Sequence, residues 1–433
     1  MPRLRRDHFI DLRPFRASPP FARLWTGSTL SGLGSQLTIV AVMLHMYELT
    51  GSTFAVSMIA VAGLVPMILA GLYGGMLADA FDRRMVALLS ATITFVSTAL
   101  LAGLAWAHLE SVWALYVLSV VNSAAGSIVL AAKSAITPRL LPRELLPAAA
   151  ALQGITVGIM VMAGPALAGV LVALVGYAWT YTIDVVLMLS LFLGLWTLPS
   201  IRPEGVLVRP GLESLRDGVA FLHRAPNIRL QYLLDVVAMT FGQPMALLPA
   251  VGAVLLGGGA VTTGALTAAY ASGAFLSSLF SGPIGRYRWH GRGIERAILV
   301  YGASVVAFGA VLLAATFGDS AAVDETHANL PLIGAAFVCL AVAGGSDNVS
   351  AIYRSTMMQT AVPDAIRGRL QGIFIVVVAG GPRLGALYAG VVATLTTLWF
   401  PPLLGGLVIM GLVALLVRLT PRFRAYDAES PVP

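Results

Sequence analysis

The sequence predicts an all-α membrane protein whose twelve transmembrane helices form two pseudo-symmetric six-helix bundles. Three observations lead to this prediction: long apolar runs, a one-sided distribution of bases, and an internal repeat of about half the chain. The chain is 58% hydrophobic and 11% charged, whereas soluble proteins carry about 25% charged residues. Because the apolar runs are continuous over about 20 residues, they indicate helices and not the short alternating strands of a membrane β-barrel.

The apolar runs define twelve predicted spans, numbered here in chain order. Spans 1 to 6 are predicted at 23–48, 53–78, 85–107, 112–132, 147–173 and 177–198. Spans 7 to 12 are predicted at 229–256, 262–284, 294–316, 331–353, 368–394 and 400–418. The two bundles are therefore 23–198 and 229–418, with a basic tail at 1–22, a linker at 199–228 and a polar tail at 419–433. In the linker, apolar residues recur at helical spacing, which predicts an amphipathic helix on the inner face: Leu212, Leu215, Val219 and Leu222.

The basic residues predict the orientation of the chain. Of 27 Lys and Arg residues, 26 fall in the tails, the linker or the other even-numbered connections between spans, and Arg383 lies inside span 11. The longest odd-numbered connection carries Asp319, Asp324 and Glu325 instead. Because cytoplasmic loops of membrane proteins are rich in Lys and Arg, both termini are predicted to be cytoplasmic, in a bacterial inner membrane.

Three short motifs recur in order in the two halves, at offsets of 206, 221 and 217 residues. They are Pro20-x-x-Arg23-Leu24 with Pro226-x-x-Arg229-Leu230, Lys133-Ser134 with Arg354-Ser355, and Leu152-Gln153-Gly154-Ile155 with Leu370-Gln371-Gly372-Ile373. Gly164-Pro165 and Gly381-Pro382 follow the two copies of the third motif. The repeat predicts two parallel copies of one bundle, with a site at their interface near mid-membrane.

Several functional classes lack their signatures in this sequence. The single cysteine, Cys339, gives neither a disulfide framework nor a thiolate metal cluster. There is no phosphate-binding Gly-x-x-x-x-Gly-Lys loop, no zinc-type His/Glu spacing and no nucleophile elbow. We therefore expect neither an enzyme nor a cofactor or metal. The net charge of +7 lies beside the membrane, so the expected partners are the lipid bilayer and a small-molecule cargo, not nucleic acid, and the expected state is a monomer.

The connection between spans 2 and 3 carries the pattern Gly75-x-x-x-Asp79-x-x-x-Arg83-Arg84. So much charge between two apolar runs indicates a turn at a membrane face, which an ordinary positive-inside turn would also explain. The pattern resembles the signature loop of the major facilitator superfamily, except that Asp82 replaces a frequent glycine. The resemblance implies a cytoplasmic gate in which Asp79 lies near Gly368 and Arg83 contacts neighbouring acids, holding the outward-facing state.

Two further segments carry a resemblance. The segment Gly164-Pro165-x-x-Ala168-Gly169 in span 5 is explained by helix packing alone. Alternatively, it resembles the antiporter signature of superfamily exporters, and this resemblance implies efflux. Residues 349–360 resemble the connection between spans 10 and 11 in the enterobactin-exporter branch. That branch includes siderophore and macrolide-type drug exporters. Residues 380–383 depart from the enterobactin exporter, so the cargo does not follow from the resemblance.

Ionisable groups inside the predicted spans are the first candidates for cargo or proton binding, because they are costly in a bilayer. Arg383 is flanked by small residues and is interpreted as an anion-binding or gating cation, or as half of a structural pair for which Asp235 is a candidate acid. Asp235 in span 7 is a candidate proton acceptor, and Asp184 in span 6 is a weaker one. Asp347 and Arg354 are seven residues apart on one helical face, which suits an inner gate or a stabilising pair.

Polar residues elsewhere complete the set of candidates. His45 and Glu48, three residues apart, are predicted to share a proton or to form an interfacial hydrogen bond. Gln36 and Gln243 occupy similar places in spans 1 and 7 and are expected to line the cavity. Asn122 stands where many proton-coupled members of the superfamily carry a buried arginine, which is a departure from their proton relay.

These observations favour a secondary active transporter that exports a small organic solute, siderophore-like or drug-like, by alternating access with proton antiport. Two alternatives remain open: an importer of the same fold, and a membrane scaffold or receptor without transport. Buried ionic groups and small-residue helices are unnecessary in a scaffold, which weighs against the second alternative.

Overall fold

In the computed structural model, the described residues are 12–109, 111–202, 220–280, 284, 287–318, 327–362 and 364–432. They are almost entirely helical, and no strand occurs among them. Within these ranges the description leaves out some side chains, namely those of residues 75, 79, 143, 147, 150, 151, 364–369, 371–376 and 379. Most of the predicted amphipathic helix of the linker also lies outside the described residues.

The first six predicted spans correspond to five continuous helices. Spans 1 to 4 are Pro19–Thr50, Thr53–Ala80, Arg83–Trp106 and Val112–Leu140. Spans 5 and 6 form one run, Leu146–Trp196, broken at Gly176, where φ is 78° and ψ is 179°. A side chain is strained at such a positive φ, so glycine marks the turn between two membrane crossings.

The second six predicted spans include one interrupted helix. Span 7 is Pro226–Gly242, followed after Gln243-Pro244 by short helical segments that end at Leu255. Spans 8 to 12 are Gly259–Leu279, His290–Phe317, Leu330–Ala361, Asp364–Leu395 and Phe400–Leu419. In the described part of the chain, nine helices are long and apolar enough to cross a membrane, and the Gly176 break divides one of them into two crossings. This helix set is consistent with twelve spans.

Several helices extend beyond their predicted ends, and the extensions change the interpretation of three segments. Span 1 begins at Pro19, and a short helix before it, Arg13–Ala17, packs Phe15 against the Trp25 ring at 4.9 Å. Span 4 continues to Leu140 and span 10 to Ala361. Lys133, predicted in the connection after span 4, therefore lies on a helix, and Arg354 lies buried on span 10.

The contacts divide the chain into two compact units. Unit 1 contains Met1–Val42 and Val65–Arg209, and unit 2 contains Met43–Leu64 and Pro210–Pro433. The core of unit 1 includes Leu24, Ala91, Ile136 and Leu195, whereas that of unit 2 includes Tyr301, Phe308, Met357 and Ile409. Within unit 2 the Thr53 hydroxyl donates to the Gly390 carbonyl at 3.4 Å.

The C-terminal segment, predicted as a polar tail, folds onto unit 2. Pro421–Arg424 is a short helix, and Phe423 is fully buried beside Gly291. Arg424 forms an ion pair with Glu295, and Arg288 donates from Nε to Asp427 at 2.8 Å. At the end of the segment, the Asn227 amide donates to the Val432 carbonyl at 3.1 Å. These contacts hold the segment against the starts of spans 7 and 9.

Candidate functional site

A cluster of ionic side chains lies inside unit 2, where Arg354 and Asp235 are buried and Asp347 is partly exposed. One guanidinium, that of Arg354 on span 10, contacts two carboxylates. It forms a close ion pair with Asp235 on span 7, and its Nη2 lies 3.4 Å from Oδ1 of Asp347 on span 10. The side chains of Arg354 and Asp235 are 9% and 3% exposed. Tyr270 on span 8 donates its hydroxyl to Oδ2 of Asp347 at 3.1 Å. We call these four residues the ionic cluster.

Helical geometry explains why the sequence brings these groups together. Asp347 and Arg354 are two turns apart, so their side chains share one face of span 10. Close packing of spans 8 and 10 brings Tyr270 to that face, because Gly344 would place a Cβ only 1.9 Å from the Tyr270 carbonyl oxygen. Asp347 and Arg354, predicted to share one helical face, are in contact, and their role as an inner gate or a stabilising pair stays a prediction. Asp235, the acid suggested as a partner of Arg383, is ion-paired with Arg354.

A small cavity of about 120 Å³ opens beside this cluster. Its lining comes from spans 7 and 10 and consists of Gln231, Tyr232, Asp235, Arg354, Ser355, Met358 and Gln359. Since a water molecule takes about 30 Å³ of liquid volume, the cavity has room for a few waters or one polar group of a larger solute.

Three buried atoms beside the cavity have no hydrogen-bond partner among the described residues. They are Oε1 of Gln231, Oδ2 of Asp235 and Nε of Arg354. Gln231 and Asp235 are each 2% exposed. Buried polar groups are normally hydrogen-bonded, so two acceptors and one donor beside one cavity indicate a place for a polar ligand or water. Gln231 and Tyr270 were not predicted; the only signal for Gln231 is its position one turn before Asp235.

Span 7 is interrupted beside another candidate residue, Gln243. Pro244 cannot donate a backbone hydrogen bond, and the helix ends at Gly242. The Tyr301 hydroxyl donates to the Gly242 carbonyl at 2.8 Å. Gln243 packs against Gly385 of span 11, where a Cβ would lie 2.8 Å from the glutamine Cβ. Its Oε1 is buried without a partner among the described residues.

The signature loop makes its described contacts within unit 1. The turn is only Phe81-Asp82, since span 3 begins at Arg83. Arg83 donates to the carbonyls of Ala78 and Ala135, at 3.2 and 2.9 Å. Arg84 donates to the Trp196 carbonyl at 2.8 Å. The Gly75, Asp79 and Gly368 side chains lie outside the description, so the gate stays a prediction.

Asp82, noted only as a departure from the superfamily pattern, has a structural role that the sequence analysis missed. It caps span 3 by accepting from the Arg84 amide at 2.9 Å, and it accepts from the Ser200 hydroxyl and the Ile201 amide at 2.6 and 3.1 Å. Partial burial acts to raise the pKa of Asp82. Hydrogen bonds from Ser200, Ile201 and Arg84, together with the charge of Arg84, outweigh that effect and lower the pKa.

Gly164 of span 5 packs closely against span 1. A Cβ on Gly164 would lie 2.4 Å from Cβ of Gln36, so this glycine and this glutamine are in direct contact. Pro165 lies inside the helix, and Gly169 is buried one turn later. This geometry accounts for the segment by packing, and its role in antiport stays a prediction.

The other candidates are spread through the chain. His45 is buried and Glu48 is exposed at the end of span 1. Arg383 lies in the middle of span 11 and is half-buried. Asn122 donates to the hydroxyls of Ser97 and Thr98 on span 3, at 3.3 and 2.9 Å. Among the described residues, no group of His, Cys, Asp and Glu side chains has the arrangement of a metal site.

Comparison with known proteins identifies the family. The family model MFS_3, described as transmembrane secretion effector, matches residues 11–433. This chain belongs to that family. The family is a branch of the major facilitator transporters, so the chain is a membrane-spanning transporter and not an enzyme. The resemblance found in the signature loop is confirmed.

Relatives of this MFS_3 chain include named exporters. The enterobactin exporter EntS of Citrobacter koseri is 29% identical over 434 residues, which cover 99% of this chain and 98% of the relative. EntS of Salmonella typhimurium is 29% identical over 416 residues, or 95% of each chain.

Solved structures with the same fold include other transporters. A POT family transporter in complex with 5-aminolevulinic acid aligns with a TM-score of 0.72 at 11% identity, covering 94% of this chain and 97% of that one. A mutant of the nucleoside transporter NupG aligns at 0.67 with 17% identity, covering 93% of this chain and 99% of that one. At such identities the likeness shows the fold alone.

Proposed function

We propose that this chain exports a small organic solute across the bacterial inner membrane by alternating access, in exchange for protons. The observation that carries the proposal is the ionic cluster of unit 2, which has one guanidinium for two carboxylates. We further propose that both termini are cytoplasmic and that the transporter acts as a monomer.

The charge of the cluster supports proton coupling. A buried charge is tolerated when it is paired, and Arg354 can neutralise only one of its two acids. The Tyr270 hydroxyl stabilises Asp347 but carries no charge. A proton on Asp235 or Asp347 makes the cluster neutral, so the cluster exchanges a proton with water when the site is open to either side of the membrane.

The cavity supports a direct competition between proton and cargo. Arg354 offers Nε as a donor, while Gln231 and Asp235 offer acceptors, and all three atoms are unpaired among the described residues. A polar group of the solute that hydrogen-bonds there lies beside the carboxylate that takes the proton. Cargo binding then favours proton release and proton binding favours cargo release, which is the requirement for antiport.

Two observations favour export and a siderophore-like or drug-like cargo. Relatives of nearly equal length are named enterobactin exporters. The Gly164-Pro165 segment resembles the antiporter signature of exporters in the superfamily. The cargo itself is expected to have several hydrogen-bonding groups on a larger apolar body, because the cavity admits only a small polar part of it.

Purified protein reconstituted in liposomes tests the proposal. The probes are enterobactin and, as a drug-like cation, ethidium, with a pH dye enclosed in the vesicles and the pH gradient imposed in each direction. We expect the solute to move in the direction opposite to the proton flow, and we expect a matching flux of protons. Asp235→Asn should abolish the coupled proton flux, while Glu429→Gln, at an exposed acid of the C-terminal segment, should leave both fluxes unchanged.

Each other result contradicts a separate part of the proposal. Solute movement without proton flux would exclude antiport. Movement of solute and protons in the same direction would identify an importer of the same fold. A wild-type protein that binds solute but moves none under either gradient would be a receptor.

A further inference from the structure

We propose that Asp184 in unit 1 is a second proton-binding site, with Thr38 as its hydrogen-bond partner. Proton binding at this site does not depend on the proposed function; only its use in transport rests on that function. The site lies in a different unit from the ionic cluster and is built from different chemistry, a single carboxylate and a hydroxyl.

The carboxylate lies deep inside a span. Asp184 is 1% exposed and follows the break at Gly176 by eight residues, with twelve more before the helix ends at Trp196. At 1.5 Å per residue, these intervals place it about 12 Å from one end of span 6 and about 18 Å from the other. Thr38, on span 1, is 6% exposed.

The two oxygens of Asp184 have different surroundings. Oδ2 accepts a hydrogen bond of 2.5 Å from the Thr38 hydroxyl. Oδ1 has no hydrogen-bond partner among the described residues. It lies against Gly34, where a Cβ would be only 2.3 Å away. Only a residue without a side chain leaves room for the carboxylate between spans 1 and 6.

Thr38 also departs from the pattern of its own helix. The other span 1 hydroxyls with a described hydrogen bond donate to carbonyls of the same helix: Thr26, Thr29, Ser31, Ser35 and Thr50. Thr38 donates across to span 6 instead. Hydroxyls inside helices commonly bond to the carbonyl one turn earlier, so this diversion marks a specific interaction with Asp184.

No cation compensates the carboxylate within the described part of unit 1. Span 3, which packs against this helix, has no Asp, Glu, Lys, Arg or His between Arg84 and Trp106. Along span 1, the nearest titratable group beyond Thr38 is His45, about 10 Å further on at 1.5 Å per residue. Span 6 itself contributes the hydroxyls of Tyr177 and Tyr181.

A proton is therefore the ligand that suits this carboxylate. In the step, hydronium gives a proton to Oδ1, a water molecule is left, and the charge of the site changes from −1 to zero. Hydrogen bonds to an ionised acceptor are about twice as strong as those to a neutral one. Protonation thus weakens the link from Thr38, and the contact between spans 1 and 6 responds to the proton.

Infrared difference spectroscopy of the purified full-length protein, titrated by pH without cargo, tests the site. Labelling of aspartate side chains with ¹³C separates aspartic from glutamic acid bands. We expect a band of protonated aspartic acid that is lost in Asp184→Asn and shifted in frequency in Thr38→Val. The band should be unchanged in Asp82→Asn, which removes an acid at the surface of the same unit.

A spectrum of Asp184→Asn identical to that of the wild type would overturn the proposal. If Asp184→Asn fails to fold, Thr38→Val decides alone: a shifted band supports the site, and an unshifted spectrum excludes the Thr38 partnership. The two proposals fail separately, because the titration contains no solute. Absence of gradient-driven export in liposomes leaves this band in place, and absence of the band leaves export measurable.

Discussion

Equivalent positions of the two repeats carry different chemistry in the two units. Arg354 is buried between two carboxylates in unit 2. The side chain of its repeat partner Lys133, on span 4, has no ion pair or hydrogen bond among the described residues of unit 1. The positions that correspond to Asp235 and Asp347, at offsets of 206 and 221 residues, are Thr29 and Gly126. Unit 1 therefore retains the cation and lacks both acids.

Close packing of helices inside each unit, by contrast, is preserved. In unit 1 Gly164 of span 5 contacts Gln36 of span 1, and in unit 2 its repeat partner, Gly381 of span 11, contacts Met239 of span 7. The first and fifth helices of each bundle thus approach closely at the same glycine of the repeat. Duplication maintained this part of the scaffold, whereas the buried charges diverged and assign different tasks to the two units.

The largest expected effect is a difference in stability between variants of the two repeat-related cations, Arg354 and Lys133. Arg354→Gln leaves the buried carboxylate of Asp235 without its cation and should lower the free energy of unfolding by about 3–5 kcal/mol. Lys133→Gln breaks no ion pair and should change it by less than about 1 kcal/mol. Denaturant titration in mixed micelles measures both. Equal losses in the two variants would mean that the ionic cluster does not distinguish the units.

A second asymmetry concerns Arg383, whose repeat position in span 5 is the neutral Ala166. We predict that Arg383→Gln lowers transport of an anionic or catechol-like solute at least about tenfold while the melting temperature stays near that of the wild type. Arg383→Lys should retain part of the activity, because the charge remains but the planar donor fork is lost. Arg418→Gln, at an exposed base near the end of span 12, is the control.

Full transport by Arg383→Gln would remove this residue from the cargo site. A large fall in its melting temperature would instead assign Arg383 a structural role.

Helix crossings provide a third test. A Cβ on Gly273 of span 8 would lie 1.7 Å from the Ala341 carbonyl oxygen, whereas a Cβ on Gly126 of span 4 would meet nothing within 4 Å. Gly273→Ala should therefore cost about 1–3 kcal/mol of stability by overpacking. Gly126→Ala should be neutral or stabilising by about 0.5–1 kcal/mol, since alanine favours helices. Equal melting temperatures for the two variants would contradict this difference.

The smallest expected effect is the pH dependence of the Asp82 contacts. Because the folded state lowers the pKa of Asp82, the ionised carboxylate stabilises unit 1 above the unfolded-state pKa of about 3.9. This stabilisation is lost as the pH falls through the lower folded-state pKa. The difference in melting temperature between the wild type and Asp82→Asn should thus be constant from neutral pH to about pH 4 and shrink below it. A difference that grows on acidification would contradict the assigned sign.

Sequence reasoning recovered the fold because hydropathy, bases and repeats each act over many residues. It also paired Asp347 with Arg354, since seven residues are two helical turns. It did not find Asp235 as the partner of Arg354, because depths along two different helices cannot be aligned from one sequence. It missed the Asp82 contacts for a similar reason: Ser200 and Ile201 are more than a hundred residues away in the chain.

The folded C-terminal segment has a consequence for how the protein is made. A chain emerges from the ribosome starting at its N-terminus, so Phe423, Asp427 and Val432 become available only after span 12 has been translated. Yet they supply contacts to Gly291, Arg288 and Asn227, which are translated more than a hundred residues earlier. Unit 2 therefore cannot complete this face while its spans are being made, and a chain cut just before Phe423 would contain every span but leave this face unfinished.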